Sequence, residues 1–177
     1  MFFQNDNQKQ LFTKLKDLLT TYYGQKHVNI QKDNDGVEIS FRMIRGSADI
    51  QIFPYSFRKT ESMVTLLAIL TFQTPYSPEL ADWIVKINPK ITFGGFGFVE
   101  YKEKPGIGNV VLYYDMLGKT LTSDELYNAL DNASWLADKW DDYIVEHFGG
   151  LTNQMSYEQM QKEKQQNPPQ QEKENWE

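Results

Sequence analysis

Apolar residues recur along the chain at two spacings, and the change from one spacing to the other lays out its elements. Leu11, Leu15, Leu18, Leu19 and Tyr22 fall at intervals of three and four, the stripe of an amphipathic helix that starts near Asn7 and stops at Gly24. From His27 the period becomes two: Val28 and Ile30 alternate with Asn29 and Gln31, then Val37, Ile39, Phe41 and Met43 alternate with Glu38, Ser40 and Arg42. Asn34, Asp35 and Gly36 between these runs tolerate positive φ, so the two read as a hairpin with one wet face. A second reversal at Arg45, Gly46 and Ser47 leads to Ala48, Ile50 and Ile52. Pro54, which has no N–H to donate, ends that strand or confines it to an edge.

Residues 55–62 read as a polar connection. Residues 63–72 are apolar on both alternations and hold β-branched Val64, Thr65, Ile69 and Thr71, which predicts a central strand covered on both sides. Ser77, Pro78 and Glu79 supply a capping hydroxyl, a proline at the first helical position and an acid in the first turn. Leu80, Trp83, Ile84 and Ile87 give that short helix its stripe, and Asn88 and Pro89 stop it. Residues 91–118 form the centre of the layout, an aromatic-rich hairpin. Phe96, Phe98, Glu100 and Lys102 alternate with Gly97, Val99 and Tyr101, and 105–108 reverses the chain. On the return Val110, Leu112 and Tyr114 alternate with Val111, Tyr113 and Asp115. Thr122 and Glu125 then make a capping box ahead of a long helix striped by Leu126, Leu130, Ala133, Ala137, Trp140, Ile144 and Phe148, ending at Gly149 and Gly150.

The order α-β-β-β(-β)-α-β-β-α is an α+β layout in which helices cover one antiparallel sheet, in a single domain of residues 1–149. Residues 150–177 turn to Gln, Glu and Lys with a Pro168-Pro169 pair, a composition that predicts a disordered polar C-terminal tail. A chain of 177 residues that is 40% hydrophobic and 14% aromatic can fill one core. With no cysteine there is no disulfide, thiolate metal site or cysteine nucleophile, and a cytoplasmic protein is expected. No basic leader with an apolar core opens the chain, and the longest apolar run is half the roughly 20 residues of a spanning helix, so no membrane partner is expected. The net charge of −6 conceals a near-neutral body and an acidic 115–148, which holds eight acids against Lys119 and Lys139. No basic stripe offers itself to nucleic acid.

Candidate chemistry is sparse. Gly94, Gly95 and Gly97 precede a strand rather than a helix, so they read as a bulge or tight turn, not a phosphate loop. His27 and His147 have no second ligand at metal spacing, and His147 fits a last-turn interaction with its helix dipole. Asp138, Asp142 and Glu146 share a helix face and read as a solvated surface. Asp49, Glu100 and Asp115 would line an acidic cleft only if register joined them; otherwise they pair with cations such as Arg42 and Lys102. No catalytic, cofactor-binding or metal-ligating residue is nominated, and no cofactor is expected. Aromatics on both alternations of the central hairpin exceed what one buried face needs. Phe96, Phe98, Tyr101, Tyr113 and Tyr114 are therefore the candidate partner-binding residues.

The ADIQIF strand, the VTLLAILTF run, the ELADWIVKIN helix, FGGFGF leading to VVLYYDMLG, and LTSDELYNALDNASWLADKWDDYI together resemble the YbjN-like family over roughly residues 11–149. These are bacterial and cyanobacterial proteins often labelled sensory transduction regulators. The resemblance implies a type III secretion chaperone-like fold, a cytoplasmic homodimer, and an apolar surface that holds an extended stretch of a client protein without nucleotide. It implies no catalytic residue. The expected function is accordingly a non-enzymatic, chaperone-like or regulatory protein-binding module. A small-molecule binder or enzyme with a carboxylate-lined cleft is the alternative.

Overall fold

The Asn5 side chain accepts a hydrogen bond from the Gln8 amide at 2.8 Å and so caps helix α1 (Asp6–Tyr23) in the computed structural model, which describes residues 3–58 and 60–166. Gly24 ends that helix at a φ of 80°, where a side chain would be strained. A 3-10 turn at Gln25–His27 leads into β1 (Asn29–Lys32), β2 (Glu38–Arg45), β3 (Ala48–Phe57) and β4 (Glu61–Pro75). The chain continues through α2 (Pro78–Ile87), β5 (Gly95–Tyr101), β6 (Lys104–Leu117), α3 (Ser123–Phe148), the two-residue β7 (Leu151–Thr152) and α4 (Asn153–Gln166). The strands form one antiparallel sheet in the order β1-β2-β3-β4-β6-β5, with β7 alongside β4. The α+β class and the single sheet match the expectation.

The three helices read from the sequence lie on one face of this sheet. Their stripes, with Leu15, Leu19, Leu80, Leu126, Leu130 and Ile144 fully buried, meet Phe41, Ile50, Ile52, Val64, Leu66, Leu70 and Leu112 of the strands. Phe12 stacks on Phe41 with centroids 4.6 Å apart. Thr122 accepts from the Glu125 amide at 3.1 Å to cap α3, and Ser77 accepts from the Leu80 amide at 3.2 Å to cap α2. Tyr22 departs from its predicted burial: it is exposed, but its ring stacks on Tyr127 of α3 at 4.0 Å.

Four expectations are corrected. The central hairpin turns at 102–103, not at 105–108, because Tyr101 already pairs with Lys104; the 105–107 stretch bulges out of the ladder, and Glu100 receives the Gly106 amide at 2.5 Å. Residues 55–62 are not a loop, since the β3–β4 ladder extends to Phe57 opposite Glu61. Pro54 needs no correction, since it sits where β3 is an edge, as one of its two readings had it: β2 pairs only as far as Ile52. Residues 63–72 are covered on the helix side throughout, but on the other face only Ile69 and Thr71 are buried.

The fourth correction concerns the C-terminal segment. β4 runs past the end of β3, and Leu151 and Thr152 fill the vacant edge opposite Phe72 and Thr71. Gly149 and Gly150, at φ of 82° and 95°, turn the chain into that position, and a Cβ on Gly150 would lie 2.5 Å from Thr74 Oγ1. Thr152 then accepts from the Met155 amide at 3.3 Å and starts α4. Backbone pairing and a cap, rather than apolar burial, order 151–166, which is why composition missed them. The rest of the predicted tail, 167–177, lies outside the described residues. Among the described residues no helix is long and apolar enough to cross a membrane.

Candidate functional site

Strand alternation assigns every second residue to the face opposite the helices, and the register sets those residues in rows. Tyr55, Met63 and Leu117 form one row, Phe53, Thr65 and Asp115 the next, then Gln51, Leu67, Tyr113 and Gly95, and finally Asp49, Ile69, Val111 and Gly97. Leu117 is 50% exposed and Tyr113 42% exposed, while Phe53, Tyr55, Met63 and Leu67 are half-buried. The centre of this face is an apolar surface that α1, α2 and α3 leave uncovered.

Glycines shape the β5 side of that surface. Gly94 has a φ of 74°, and a Cβ there would sit 2.2 Å from the Tyr113 carbonyl oxygen. A Cβ on Gly97 would touch the Tyr113 ring at 3.4 Å, so the ring lies over the glycine. Gly94 thus makes the tight entry turn that was one of its two readings, and Gly97 leaves room for the Tyr113 ring; the ladder has no bulge at 95–97.

The outer edge of β5 is partly closed. The Asn88 side chain donates from Nδ2 to the Phe96 carbonyl at 3.0 Å and accepts the Phe96 amide at 2.7 Å, as a neighbouring strand would. Alternation turns the next outward peptide groups, those of Phe98 and Glu100, to the free edge. Asn88 reads in the sequence only as a helix stop, and nothing in its context marks this role.

The five nominated aromatics do not share a face. Phe96 is 5% exposed and stacks on Trp83; Phe98 and Tyr114 pack against the core beside Tyr76 and Phe93. Burial raises the Tyr114 hydroxyl pKa, with Glu125 adding to the shift. Tyr113 lies on the open face, and Tyr101, on the same side, bonds Asn109 and accepts from the Gln73 amide at 3.3 Å. Sequence reasoning overlooked Phe53, Tyr55, Met63, Leu67 and Leu117, whose alternation was the available signal.

The acids do not converge either. Asp49 is fully buried and bound by Arg42 Nε at 2.8 Å and Nη2 at 2.5 Å, which raises the Arg42 pKa. Asp115 accepts from Thr65 Oγ1 at 2.6 Å, four residues along β4 from the Asp49 row and hence roughly 13 Å away. Glu100 lies on the opposite face and binds its own turn. Among the described residues no group of three His, Asp or Glu could hold a metal ion.

No family model matches the chain, and no curated protein matches it by sequence. Solved structures do. YbjN, a candidate transcription regulator from E. coli, superposes with a TM-score of 0.50 at 9% identity, covering 75% of this chain and 92% of that one. A chain of the HopA1-SchA chaperone–effector complex superposes with a TM-score of 0.51 at 15% identity, covering 78% and 98%. The fold is that of YbjN and of type III secretion chaperones. The resemblance read from the sequence motifs holds at the level of fold.

Proposed function

We propose that this protein is a non-enzymatic, chaperone-like protein-binding module that holds an extended segment of a client against its open sheet face. The observation that carries the reading is the row-by-row apolar surface of Tyr55, Met63, Leu67, Tyr113 and Leu117, which α1, α2 and α3 leave uncovered; the outward peptide groups of Phe98 and Glu100 on the β5 edge, unpaired among the described residues, are a second, separate feature. An extended segment suits each feature: its side chains settle on the apolar rows, and its backbone pairs with the edge at Phe98 and Glu100. The same surface serves self-association into a homodimer, and the cysteine-free composition supports the cytoplasmic part of the reading. The structural neighbour from a chaperone–effector complex supports the client reading, and the paired state of Asp49 and Asp115 weighs against a carboxylate cleft.

Light scattering coupled to size-exclusion chromatography, together with fluorescence anisotropy against a permanently unfolded carboxymethylated protein, tests this. The expected result is a dimer or a saturable complex without nucleotide or metal. Tyr113→Glu and Leu117→Glu should abolish it while leaving the far-UV circular dichroism unchanged. A strictly monomeric protein that ignores unfolded chains overturns the proposal.

A further inference from the structure

A second feature lies at the other end of the sheet. The first turns of α4 approach the 3-10 turn before β1 and the β2–β3 reversal, and a cavity of about 790 Å³ lies between them. Arg42 and Ile44 point away from the helices, so α4 stands on the open side of the sheet here. No Asp or Glu lines the cavity, whereas Lys26, His27 and Arg42 do. Behind the lining, Asp49 pairs with Arg42 and Asp138 accepts the Ser47 amide at 2.7 Å, which leaves Lys26 as the uncompensated charge at the cavity.

These side chains are available. Lys26 and His27 are exposed, and neither side chain forms a hydrogen bond or ion pair among the described residues. Arg42 spends Nε and Nη2 on Asp49, and its Nη1 is left over. Ser47 also lines the wall, and its Oγ is buried with no hydrogen-bond partner. Opposite stand the amide side chains of Asn153 and Gln154 and the apolar surfaces of Ile44, Tyr157 and Met160.

We propose that this cavity binds a small organic anion: one carboxylate, sulfonate or phosphate group joined to an apolar body. Lys26, His27 and the free side of Arg42 hold the charged head. Ile44, Tyr157 and Met160 cover the body. The site does not rest on the protein-binding reading, since it shares no residue with the Tyr113 and Leu117 surface.

An NMR titration of the full chain with sodium 2-naphthoate tests the assignment, with neutral 2-naphthol and inorganic phosphate as comparisons. Amide shifts confined to Lys26, His27, Ser47 and Gln154 are expected, with 2-naphthoate binding at least about tenfold tighter than either comparison compound. Lys26→Glu combined with His27→Glu, both at exposed positions, should weaken 2-naphthoate about tenfold or more, and Tyr113→Glu should leave it unchanged. Equal affinity for 2-naphthol, equal affinity for phosphate, insensitivity to the charge reversal, or shifts centred on Leu67 and Tyr113 would each overturn it.

Discussion

Removing Arg42 should destabilise the fold much more than removing the acid it binds. The Asp49 side chain is 1% exposed and receives both charge-assisted bonds from Arg42, whose own side chain is 45% exposed. Arg42→Ala strands a carboxylate inside the protein, a change that costs about 3–5 kcal/mol where both partners are buried. Water reaches the vacated side here, so the expected loss is about 2–3 kcal/mol, still a large share of a typical 5–15 kcal/mol. Asp49→Ala instead leaves a half-exposed guanidinium that water solvates, for about 1 kcal/mol. Replacing both should be less damaging than Arg42→Ala alone, because the double variant buries no unpaired charge. Urea unfolding followed by far-UV circular dichroism, with the m-value held constant across the set, reads all three. If Arg42→Ala lies within about 0.5 kcal/mol of the parent, or the double variant equals the sum of the singles, the argument that Asp49 depends on its partner is refuted.

Ending the chain after Gly150 removes β7 and α4, so the melting temperature should fall by several degrees, about 3 °C per kcal/mol for a domain of this size; an unchanged midpoint would return 151–166 to the status of a dispensable tail. Gly94→Ala should cost about 2 kcal/mol or more, since it combines a left-handed φ with a Cβ 2.2 Å from the Tyr113 carbonyl, and a neutral result in denaturant would show that the turn into β5 is free to move. Tyr23 is pushed up from 10.0 to about 12 by burial, against the opposing effect of Arg45, so the folded state holds its proton more tightly than the unfolded chain. The stability this contributes is intact below pH 10 and lost as pH rises from 10 towards 12; Tyr23→Phe should flatten that decline in alkaline thermal melts.

Much of the fold was legible because local signals and global packing agree. The Ser77 and Thr122 caps, the glycine stop at Gly24, and the stripes through Leu15 and Ile144 name the helices and the faces they bury. The Arg42–Asp49 pair was readable as a cross-strand match. What failed depended on register and long-range pairing. Phe96 and Tyr113 look alike in sequence, yet alternation sends one ring into the core and the other to the open face. β7 exists because β4 outruns β3, a difference in strand length that no local window contains. Asn88 completes a strand edge eight residues away, and a lone asparagine before proline carries no trace of that.

Hydrogen–deuterium exchange of the full chain, with and without a saturating unfolded carboxymethylated protein, tests the central claim most directly. The account predicts slowed exchange at the outward amides of Phe98 and Glu100 on the β5 edge and in peptides covering the Met63, Leu67, Tyr113 and Leu117 rows, with α1 and α3 unaffected. Protection confined to α1 or α3, or exchange unchanged across the sheet at saturation, would contradict it.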